Sequence, residues 1–239
     1  YNPIGGYVAN NKGKLTIVDP TITMSTIDVA ANINVLGGVV GYNNGDVHLS
    51  GLSELELERY GITAFENSYV GGVVGYNYSR VGGASGQGYT EDPAVVRNCS
   101  TDANTSVTST DSNAGGIVGY NYGATIIECK NYADVTGNET VGGICGYSRD
   151  YHHNKDGFIV ACTSYESATI SATKHVGGIV GYTLADNQHT NTYMPIVACT
   201  SLSEIASTGT SKGCIDGRVD DNTRFIACVA LKNGATKIV

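Results

Sequence analysis

Several residue types that most globular proteins use freely are scarce in this chain. Its 239 residues include no tryptophan, three phenylalanines, four prolines and 14 lysines and arginines together. The basic residues are not clustered and the formal net charge is −8, which argues against binding to nucleic acid or to an anionic membrane surface. No apolar run approaches the roughly 18 residues of a transmembrane helix, so the sequence predicts no transmembrane segment.

Glycine, tyrosine and small β-favouring residues are abundant instead. The chain has 32 glycines and 16 tyrosines, and threonine, serine, asparagine and valine are plentiful. This composition is typical of strands and turns, and strong helix formers do not accumulate in any long window. We expect one domain over residues 1–239. Because the chain starts at Tyr1 without a methionine, we expect a mature or excised part of a longer protein.

One short motif recurs from end to end of the chain. Full copies are LGGVVGYN at 36–43, VGGVVGYN at 70–77, AGGIVGYN at 114–121, VGGICGYS at 141–148 and VGGIVGYT at 176–183, and degenerate copies are IGGYVAN at 4–10 and KGCIDGR at 212–218. The first glycines of the full copies are 34, 44, 27 and 35 residues apart. Repeats at such periods indicate a solenoid, a propeller or an array.

The shortest interval shows what one repeat contains. Residues 115–141 hold three short extended stretches, GGIVGY, TIIEC and DVTGNETV, separated by turns rich in asparagine and glycine. About 27 residues at roughly 3.3 Å each suit one rung of a three-sided coil, whereas a propeller blade needs about 40–45. We therefore predict an all-β fold, a single right-handed parallel β-solenoid of about seven rungs with three short strands per rung.

Five of the seven cysteines share one position in the repeat. They are Cys99, Cys129, Cys162, Cys199 and Cys228. We expect them to be buried, stacked along one wall and unbridged, because stacked side chains point in parallel rather than towards each other. Cys145 and Cys214 lie in the glycine motif and are expected in the core as well. Strand alternation predicts that the residue two before each cysteine also faces the core, namely Ile127, Val160, Val197 and Ile226, with Arg97 as the exception.

Residues 53–60 admit two interpretations. Ser53 and Glu56 have the spacing of a helix capping box, whereas the alternating leucines and glutamates of SELELE favour a strand. The strand is preferred. It would place Leu55 and Leu57 in the position that the cysteines fill in later rungs.

A tyrosine closes every full copy of the motif. These residues are Tyr42, Tyr76, Tyr120, Tyr147 and Tyr182. In a stacked coil their rings form a column, which either packs against its neighbours or presents an aromatic platform to a sugar. Packing is preferred, and both interpretations stay open. The asparagine that follows in three copies tolerates a left-handed backbone and favours a polar ladder at a corner.

Residues with catalytic or metal-binding chemistry are sparse. His152, His153 and His189 lie in equivalent insertions and could hold a metal, although solvated loop histidines are the preferred interpretation. The C-x-x-C and H-E-x-x-H patterns are absent. The pair Asp220 and Asp221 is weak support for a glycosidase, which needs two carboxylates on either side of a bond. We predict no enzyme activity, no catalytic residues, no metal site and no cofactor.

The connection that follows the tyrosine varies in length. It spans 9 residues from Tyr120 to Cys129 and 23 from Tyr76 to Cys99. Core strands cannot absorb such changes, so the extra residues are expected to leave the coil at one edge, where repeat proteins commonly bind. The predicted ligand-binding patch, the insertion patch, consists of Tyr151, His152, His153, Asn154, Lys155, Asp156, Asp186, Gln188, His189, Asn191 and Tyr193. Its aromatic and amide groups suit a neutral or weakly charged glycan or a protein loop.

The repeated GG-[IV]-[VC]-GY-[NST], followed by a second strand and a DVTG-like return, resembles the GLUG motif family. Those repeats occur in bacterial surface proteins, adhesin-like proteins and the non-catalytic parts of immunoglobulin-A-cleaving metallopeptidases. The resemblance covers five rungs well and the two ends poorly, and it brings no catalytic residues. It implies an extracellular protein at a cell surface, as part of a longer surface protein.

From these observations we expect a non-enzymatic, monomeric adhesion or recognition module, secreted or at the cell surface. Its partner would be a glycan or a surface protein of a host or neighbouring cell. The alternatives are a carbohydrate-active β-helix enzyme, either a polysaccharide hydrolase or a lyase, and a purely structural spacer.

Overall fold

The chain winds as a parallel β-solenoid in its computed structural model. The structure describes residues 3–18, 21–23, 27–29, 35–50, 56–58, 61–64, 69–79, 94–149, 157–184, 194–208, 210–219, 223–232 and 235–238. No residue in those ranges is helical. The all-β parallel solenoid that the repeat predicts is confirmed.

Equivalent strands of successive rungs pair in parallel, and the described strands form six sheets: five ladders, named A to E in chain order, and a two-stranded sheet of Thr21–Thr23 and Glu56–Glu58. Ladder A consists of Pro3–Gly5, Val35–Gly37, Tyr69–Gly71, Asn113–Gly115, Thr140–Gly142, His175–Gly177 and Ser211–Gly213. Ladder B consists of Val8–Asn11, Val40–Asn43, Val74–Tyr78, Val118–Tyr122, Cys145–Arg149, Val180–Leu184 and Asp216–Arg218. Ladder C consists of Lys14–Val18, Asp46–Ser50, Val95–Arg97, Thr125–Ile127, Ile159–Val160, Met194–Val197 and Thr223–Ile226.

The last two ladders complete each rung. Ladder D consists of Lys130–Asn131, Thr163–Ser164, Thr200–Ser201 and Val229–Lys232. Ladder E consists of Ile27–Val29, Gly61–Ala64, Ser106–Ser109, Asp134–Gly137, Thr169–Ala172 and Glu204–Ser207. Among the described strands, one pairing is antiparallel: Ala235–Ile238 folds back on Val229–Lys232. This hairpin pairs the last strand of ladder D, whose edge would otherwise invite association with another chain.

A rung has five strands where the sequence predicted three, because two corners divide the predicted stretches. GGIVGY bends at Gly116 and Ile117, between ladders A and B. The second stretch is divided immediately before the cysteine, where the backbone is left-handed. The residues concerned are Asn98, Glu128, Ala161, Ala198 and Ala227, with φ between 51° and 55°. A non-glycine residue pays about 1–2 kcal/mol for this conformation, so the corner is imposed by the stacking of the rungs.

The left-handed corner also corrects the inward set predicted for ladder C. The residues three before the cysteine are completely buried, as at Val96, Ile126, Ile159 and Ile196. Those two before it face outward: Ile127 is half-buried and Ile226 is 50% exposed. Alternation fails because the corner residue reverses the direction of the next side chain. Val160 and Val197 are therefore not core residues, and Arg97 is no exception among them.

The predicted burial of the cysteine column is confirmed, and all seven cysteines of the chain are free. Thiols point at carbonyl oxygens of the preceding rung, as where Cys228 Sγ lies 3.2 Å from the Ile196 oxygen. Burial raises the pKa of the Cys129 and Cys162 thiols well above the ordinary value. They are therefore neutral packing groups rather than nucleophiles. In the glycine motif, Cys145 is buried and Cys214 is half-buried against the core.

The segment 53–60 contains the preferred strand, but in a different place from the one predicted. Leu57, in the strand Glu56–Glu58, pairs with Ile22 and not with ladder C. Ladder C is occupied in that rung by Asp46–Ser50, whose Val47 aligns with Val96. The chain enters ladder C at Asp46, shortly after Asn43 ends the ladder B strand, and therefore before it reaches SELELE. Leu55 lies outside the described residues.

Ladders A and B pack against each other through bare backbone. A Cβ atom added to Gly142 of ladder A would lie 2.0 Å from the carbonyl oxygen of Cys145, and one added to Gly146 of ladder B would lie 2.8 Å from the backbone of Ala114. Equivalent glycines of the other rungs make the same contacts. Glycine is required at these positions because any side chain would push the two ladders apart.

The second glycine of each motif faces the start of ladder D. A Cβ atom on Gly178 would lie 1.8 Å from Ser201 Oγ. In the last rung Cys214 stands in the place of this glycine, and Ala230 stands in register with Ser201. In this rung the glycine column therefore holds a larger residue and the facing column of ladder D holds a smaller one. The side-chain sizes of the two columns compensate each other.

Replacing Gly178 by alanine should destabilise the fold, because the new Cβ atom cannot be accommodated without separating stacked strands. Overpacking of this kind costs about 1–3 kcal/mol in the free energy of unfolding. Urea unfolding followed by circular dichroism measures the loss. Gly13→Ala is the matched control, since a Cβ atom there meets nothing within 4 Å. Equal stability of the two variants would contradict this account of the packing.

Buried asparagines stack where ladder B ends. Asn11 donates through Nδ2 to Oδ1 of Asn43, Asn43 donates likewise to Asn77, and Asn77 to Asn121, at 2.8–2.9 Å. Asn121 continues the series by donating to Ser148 Oγ at 3.2 Å. The predicted polar ladder is confirmed. These asparagines do not have the left-handed backbone that they would tolerate.

Ladder B ends in a buried acid. Asp216 stands in register with Val180, and its carboxyl accepts hydrogen bonds from the Thr183 hydroxyl and the Arg218 amide. Burial raises the pKa of Asp216 to about 8, so the carboxyl is largely protonated at neutral pH. Because the folded-state pKa lies above the ordinary value, the stability linked to this proton is present below about pH 4 and is lost as the pH rises towards 8.

Asp216→Asn should therefore raise the free energy of unfolding at pH 8 and leave it nearly unchanged at about pH 4. Asparagine keeps an acceptor oxygen for Thr183 but cannot ionise. Since a tenfold difference in proton affinity corresponds to about 1.4 kcal/mol, we expect a gain of at least about 1 kcal/mol at pH 8. Urea unfolding at both pH values measures it, with the exposed Asp111→Asn as control. A difference from the wild type that does not vary with pH would contradict the prediction.

Candidate functional site

The insertion patch predicted at residues 151–156 and 186–193 lies outside the described residues, as do Asp220 and Asp221. The residues that flank these insertions do have defined positions. Arg149 and Leu184 end strands of ladder B, and Met194 begins a strand of ladder C. The insertions therefore leave and rejoin the coil at the same corner. The patch itself, including His152, His153 and His189, stays a prediction.

A groove lined by tyrosine rings runs along ladders A and B, on the side away from the core. The motif tyrosines project into it from ladder B, and Tyr69 projects from ladder A. We call it the tyrosine groove, and its rings are Tyr42, Tyr69, Tyr76, Tyr120, Tyr147 and Tyr182. Val35 of ladder A packs in the same cluster as Tyr76 and Tyr120.

Four of the five motif tyrosines stack at nearly regular spacing, whereas Tyr42 meets Tyr76 edge-on. The ring centroids of Tyr76 and Tyr120 are 4.8 Å apart, those of Tyr120 and Tyr147 are 5.0 Å apart, and those of Tyr147 and Tyr182 are 5.2 Å apart. Tyr76 and Tyr120 are 5% and 6% exposed, so they pack as preferred from the sequence. Tyr147 and Tyr182 are half-buried and keep accessible surface. Tyr76 and Tyr120 therefore form a packed part of the column, and Tyr147 and Tyr182 form an accessible part.

A pocket of about 340 Å³ opens in the groove beside the accessible rings. Its lining consists of Tyr69, Ser112, Asn113, Glu139, Thr140, Tyr147 and Tyr182. The volume is within the range of small-molecule binding sites. The pocket is thus a candidate site formed by described residues.

The pocket exists because one column of ladder A changes size. The position that faces the rings holds Tyr69 in one rung, then Asn113 and Thr140 in the next two. The Tyr69 ring covers Tyr120 with centroids 4.6 Å apart. The smaller residues leave Tyr147 uncovered one rung later. A reduction in side-chain volume across two rungs therefore leaves part of the Tyr147 ring accessible.

Polar groups surround the accessible part of the Tyr147 ring. The Thr140 hydroxyl donates to Asn113 Oδ1, and Glu139 forms an ion pair with Lys174. Burial raises the pKa of Tyr147 to about 12, so its hydroxyl stays neutral and can both donate and accept hydrogen bonds. An apolar face with a few placed polar groups is the usual composition of a small-molecule site.

The end of the groove nearest the C-terminus is basic. The Arg218 guanidinium lies over the Tyr182 ring, with Cζ 4.7 Å from the ring centroid, and its Nη1 lies 3.5 Å from His175 Nε2. Arg149 lies close to the side chain of Tyr120, whose interaction with the guanidinium raises the pKa of Arg149. Burial lowers the pKa of His175, and the nearby Arg218 lowers it further. At neutral pH the arginines, not the histidine, carry the positive charge of this end.

Among the described residues, no group of three or more His, Cys, Asp or Glu could hold a metal ion. Nor does any described segment form a helix long and apolar enough to cross a membrane. The chemistry that the described site offers is ring stacking, hydrogen bonding and positive charge.

Comparisons with known proteins agree with the repeat and the fold. The family model of the GLUG motif matches residues 110–136, the rung that runs through ladders A to E. The chain therefore carries a GLUG motif, and the predicted resemblance is confirmed. A solved structure described as "a putative immunoglobulin A1 protease from Bacteroides ovatus" aligns with 99% of this chain and 74% of that chain, at 20% identity and a TM-score of 0.51. That likeness shows the fold. No curated protein matches the chain.

The sequence identified the tyrosines but not the pocket. Asn113 and Thr140 stand two residues before the first glycine of their motifs, and the size change at this position is visible in the sequence. In one straight strand Asn113 would lie about 23 Å from Tyr120, too far to share a site. The bend at the glycines brings the two positions together. Because that bend was not expected, the signal was not recognised.

Proposed function

We propose that this protein is a non-enzymatic, monomeric recognition module, extracellular and attached to or secreted from a cell, that binds a glycan in the tyrosine groove. The observation that carries the proposal is the pocket beside Tyr147 and Tyr182. The GLUG motif supports the location, because such repeats occur in bacterial surface proteins. The net charge of −8 favours a glycan or protein partner over nucleic acid.

The chemistry of the pocket suits a sugar. The C–H groups of a pyranose pack against the accessible part of an aromatic ring, and its hydroxyls pair with amides and hydroxyls such as those of Asn113 and Thr140. The Tyr147 ring is already held by stacking on Tyr120 and Tyr182. A ligand therefore meets a preorganised surface and loses little affinity to ordering of side chains.

The insertion patch is the second candidate surface. Its first segment begins two residues after Arg149, the last residue of a strand that also carries Tyr147. The patch and the groove therefore adjoin along the chain. The two surfaces are separable by mutation, because the patch residues and the groove residues do not overlap.

Tyr147→Ala combined with Tyr182→Ala should weaken glycan binding at least about tenfold, because each ring removed forfeits about 0.5–1.5 kcal/mol of stacking in addition to its contact area. An array of neutral and acidic glycans identifies the ligand with the wild-type chain. Calorimetric titration with that glycan then measures the affinity of each variant.

The matched control replaces Tyr132 and Tyr165 by alanine. These rings also stack, at 4.2 Å between centroids, but they lie at the corner of ladders D and E. A second arm replaces Tyr151, His153, His189 and Tyr193 by alanine. Loss of binding in this arm, with full affinity in the groove variant, would move the site to the insertion patch. Absence of glycan binding by the wild-type chain would overturn the proposed function.

A further inference from the structure

One wall of the pocket is built by two adjacent rungs. Ser112 and Asn113 belong to the first rung, and Glu139 and Thr140 belong to the next. The backbone amide of Glu139 donates to the carbonyl oxygen of Ser112 at 3.2 Å, and the Thr140 hydroxyl donates to Asn113 Oδ1. The pairing of the rungs therefore fixes this wall before any ligand arrives.

The Glu139 carboxylate supplies the wall with a hydrogen-bond acceptor. Its Oε1 is paired with Lys174, and its Oε2 makes no hydrogen bond within the part of the chain that the structure describes. The side chain is 43% exposed, so a ligand can reach the second oxygen. The ion pair thus restrains the carboxylate and leaves one oxygen for an N–H or O–H donor of a ligand.

The Asn113 side chain supplies the same wall with a donor. Its Oδ1 accepts from the Thr140 hydroxyl, and its Nδ2 makes no hydrogen bond to any residue in the described ranges. This nitrogen keeps contact with solvent, although Asn113 as a whole is only 6% exposed. A ligand in the pocket can therefore accept a hydrogen bond from Asn113 while it donates one to Glu139.

The tyrosines of the stack present their edges to the pocket rather than their faces. The two faces of Tyr147 are covered by Tyr120 and Tyr182. The second face of Tyr182 is covered by Arg218. Both rings nevertheless line the pocket and are only half-buried. Their accessible edges suit contact with a small apolar group rather than stacking with a whole sugar ring.

We propose that the pocket binds the acetamido group of an N-acetylated hexosamine, whose N–H donates to Glu139 and whose carbonyl oxygen accepts from Asn113. The methyl end of the group packs against the edges of Tyr147 and Tyr182. This inference rests on the proposed function and narrows it to one ligand class. A secondary amide with a methyl end offers one donor, one acceptor and one apolar group, and the pocket offers the complement of each. A sugar hydroxyl in the same place would lack the apolar contact.

Matched ligands test the acetamido group. Calorimetric titrations compare the β-1,4-linked trimer of N-acetylglucosamine with that of glucose, and the methyl glycoside of N-acetylgalactosamine with that of galactose. Within each pair the ring and linkage are kept, and a hydroxyl takes the place of the acetamido group. In at least one pair the N-acetylated member should bind about tenfold more tightly or better, as expected for one hydrogen bond to a charged group and one to an amide.

Glu139→Gln tests the acceptor. Because Lys174 keeps the single amide oxygen of the glutamine, the amide nitrogen takes the place of Oε2 and meets the ligand N–H with a second donor. The variant should lose the preference for the N-acetylated member. Glu166→Gln is the matched control, since this exposed glutamate lies at the corner of ladders D and E.

Asn113→Asp tests the donor. Aspartate keeps an acceptor oxygen for the Thr140 hydroxyl but has no N–H for the ligand carbonyl, so the preference should again be lost. Circular dichroism and the melting temperature verify that each variant is folded. If the buried aspartate prevents folding, Glu139→Gln decides the test, because the Glu139 side chain is partly exposed.

The outcomes separate this inference from the proposed function. A preference for the N-acetylated member that is lost in Glu139→Gln supports it. Equal affinities within both pairs, or a preference that persists in Glu139→Gln, overturns it. Binding of a glycan without acetamido groups, with neither pair bound, also overturns it, and the proposed function survives if the Tyr147 and Tyr182 variant loses that binding. If no glycan binds at all, the proposed function fails and this inference fails with it.

Discussion

Contact between bare backbones of ladders A and B is the constraint on which the rest of the structure depends. With glycine at Gly142 and Gly146, the two ladders approach so closely that a single Cβ atom would meet backbone within 3 Å. The close approach lets the chain reverse direction within one motif. It places Val118 and Ile117 in the core and turns the tyrosines to the other side. One motif thereby specifies a core, a sharp corner and an outer column of rings.

Repetition turns these local features into continuous columns. Strands that pair in parallel and in register set equal residues above one another, so one residue type per position fills a whole wall of the protein. The cysteines form such a wall because they are small, apolar and able to donate weakly to a neighbouring carbonyl. The asparagines form another, in which each amide satisfies the next. The last strand of ladder B departs from its column, because Asp216 stands in register with the apolar Val180.

The repeat determined much of the fold in advance, because its period and its apolar positions depend on local chemistry. The predicted parallel solenoid, the buried cysteines and the polar ladder all follow from it. Two corners were beyond this reasoning. Glu128 and Ala161 adopt a left-handed backbone that neither residue favours by itself, and this conformation is imposed by stacking with neighbouring rungs. Because the left-handed corner was not predicted, Ile127 was expected to face the core. The buried residue of ladder C is Ile126 instead.

The candidate site was predictable in part for the same reason. A tyrosine column is a property of the motif and is evident from the sequence. The pocket is a property of two neighbouring ladders, and it depends on Asn113 and Thr140 being smaller than Tyr69. A binding site in a solenoid can therefore arise where a column changes size, without any new fold element. Arg149 and Arg218 likewise stand at positions that other rungs give to Tyr122 and Tyr182.

The most direct test of this account is a crystal structure of the chain with the tightest-binding glycan from the array. The account predicts a sugar ring in the pocket beside Tyr147 and Tyr182, with the glycine contacts between ladders A and B unchanged. A glycan seated at residues 151–156 and 186–193, or on Tyr132 and Tyr165, with the tyrosine groove empty, would contradict it.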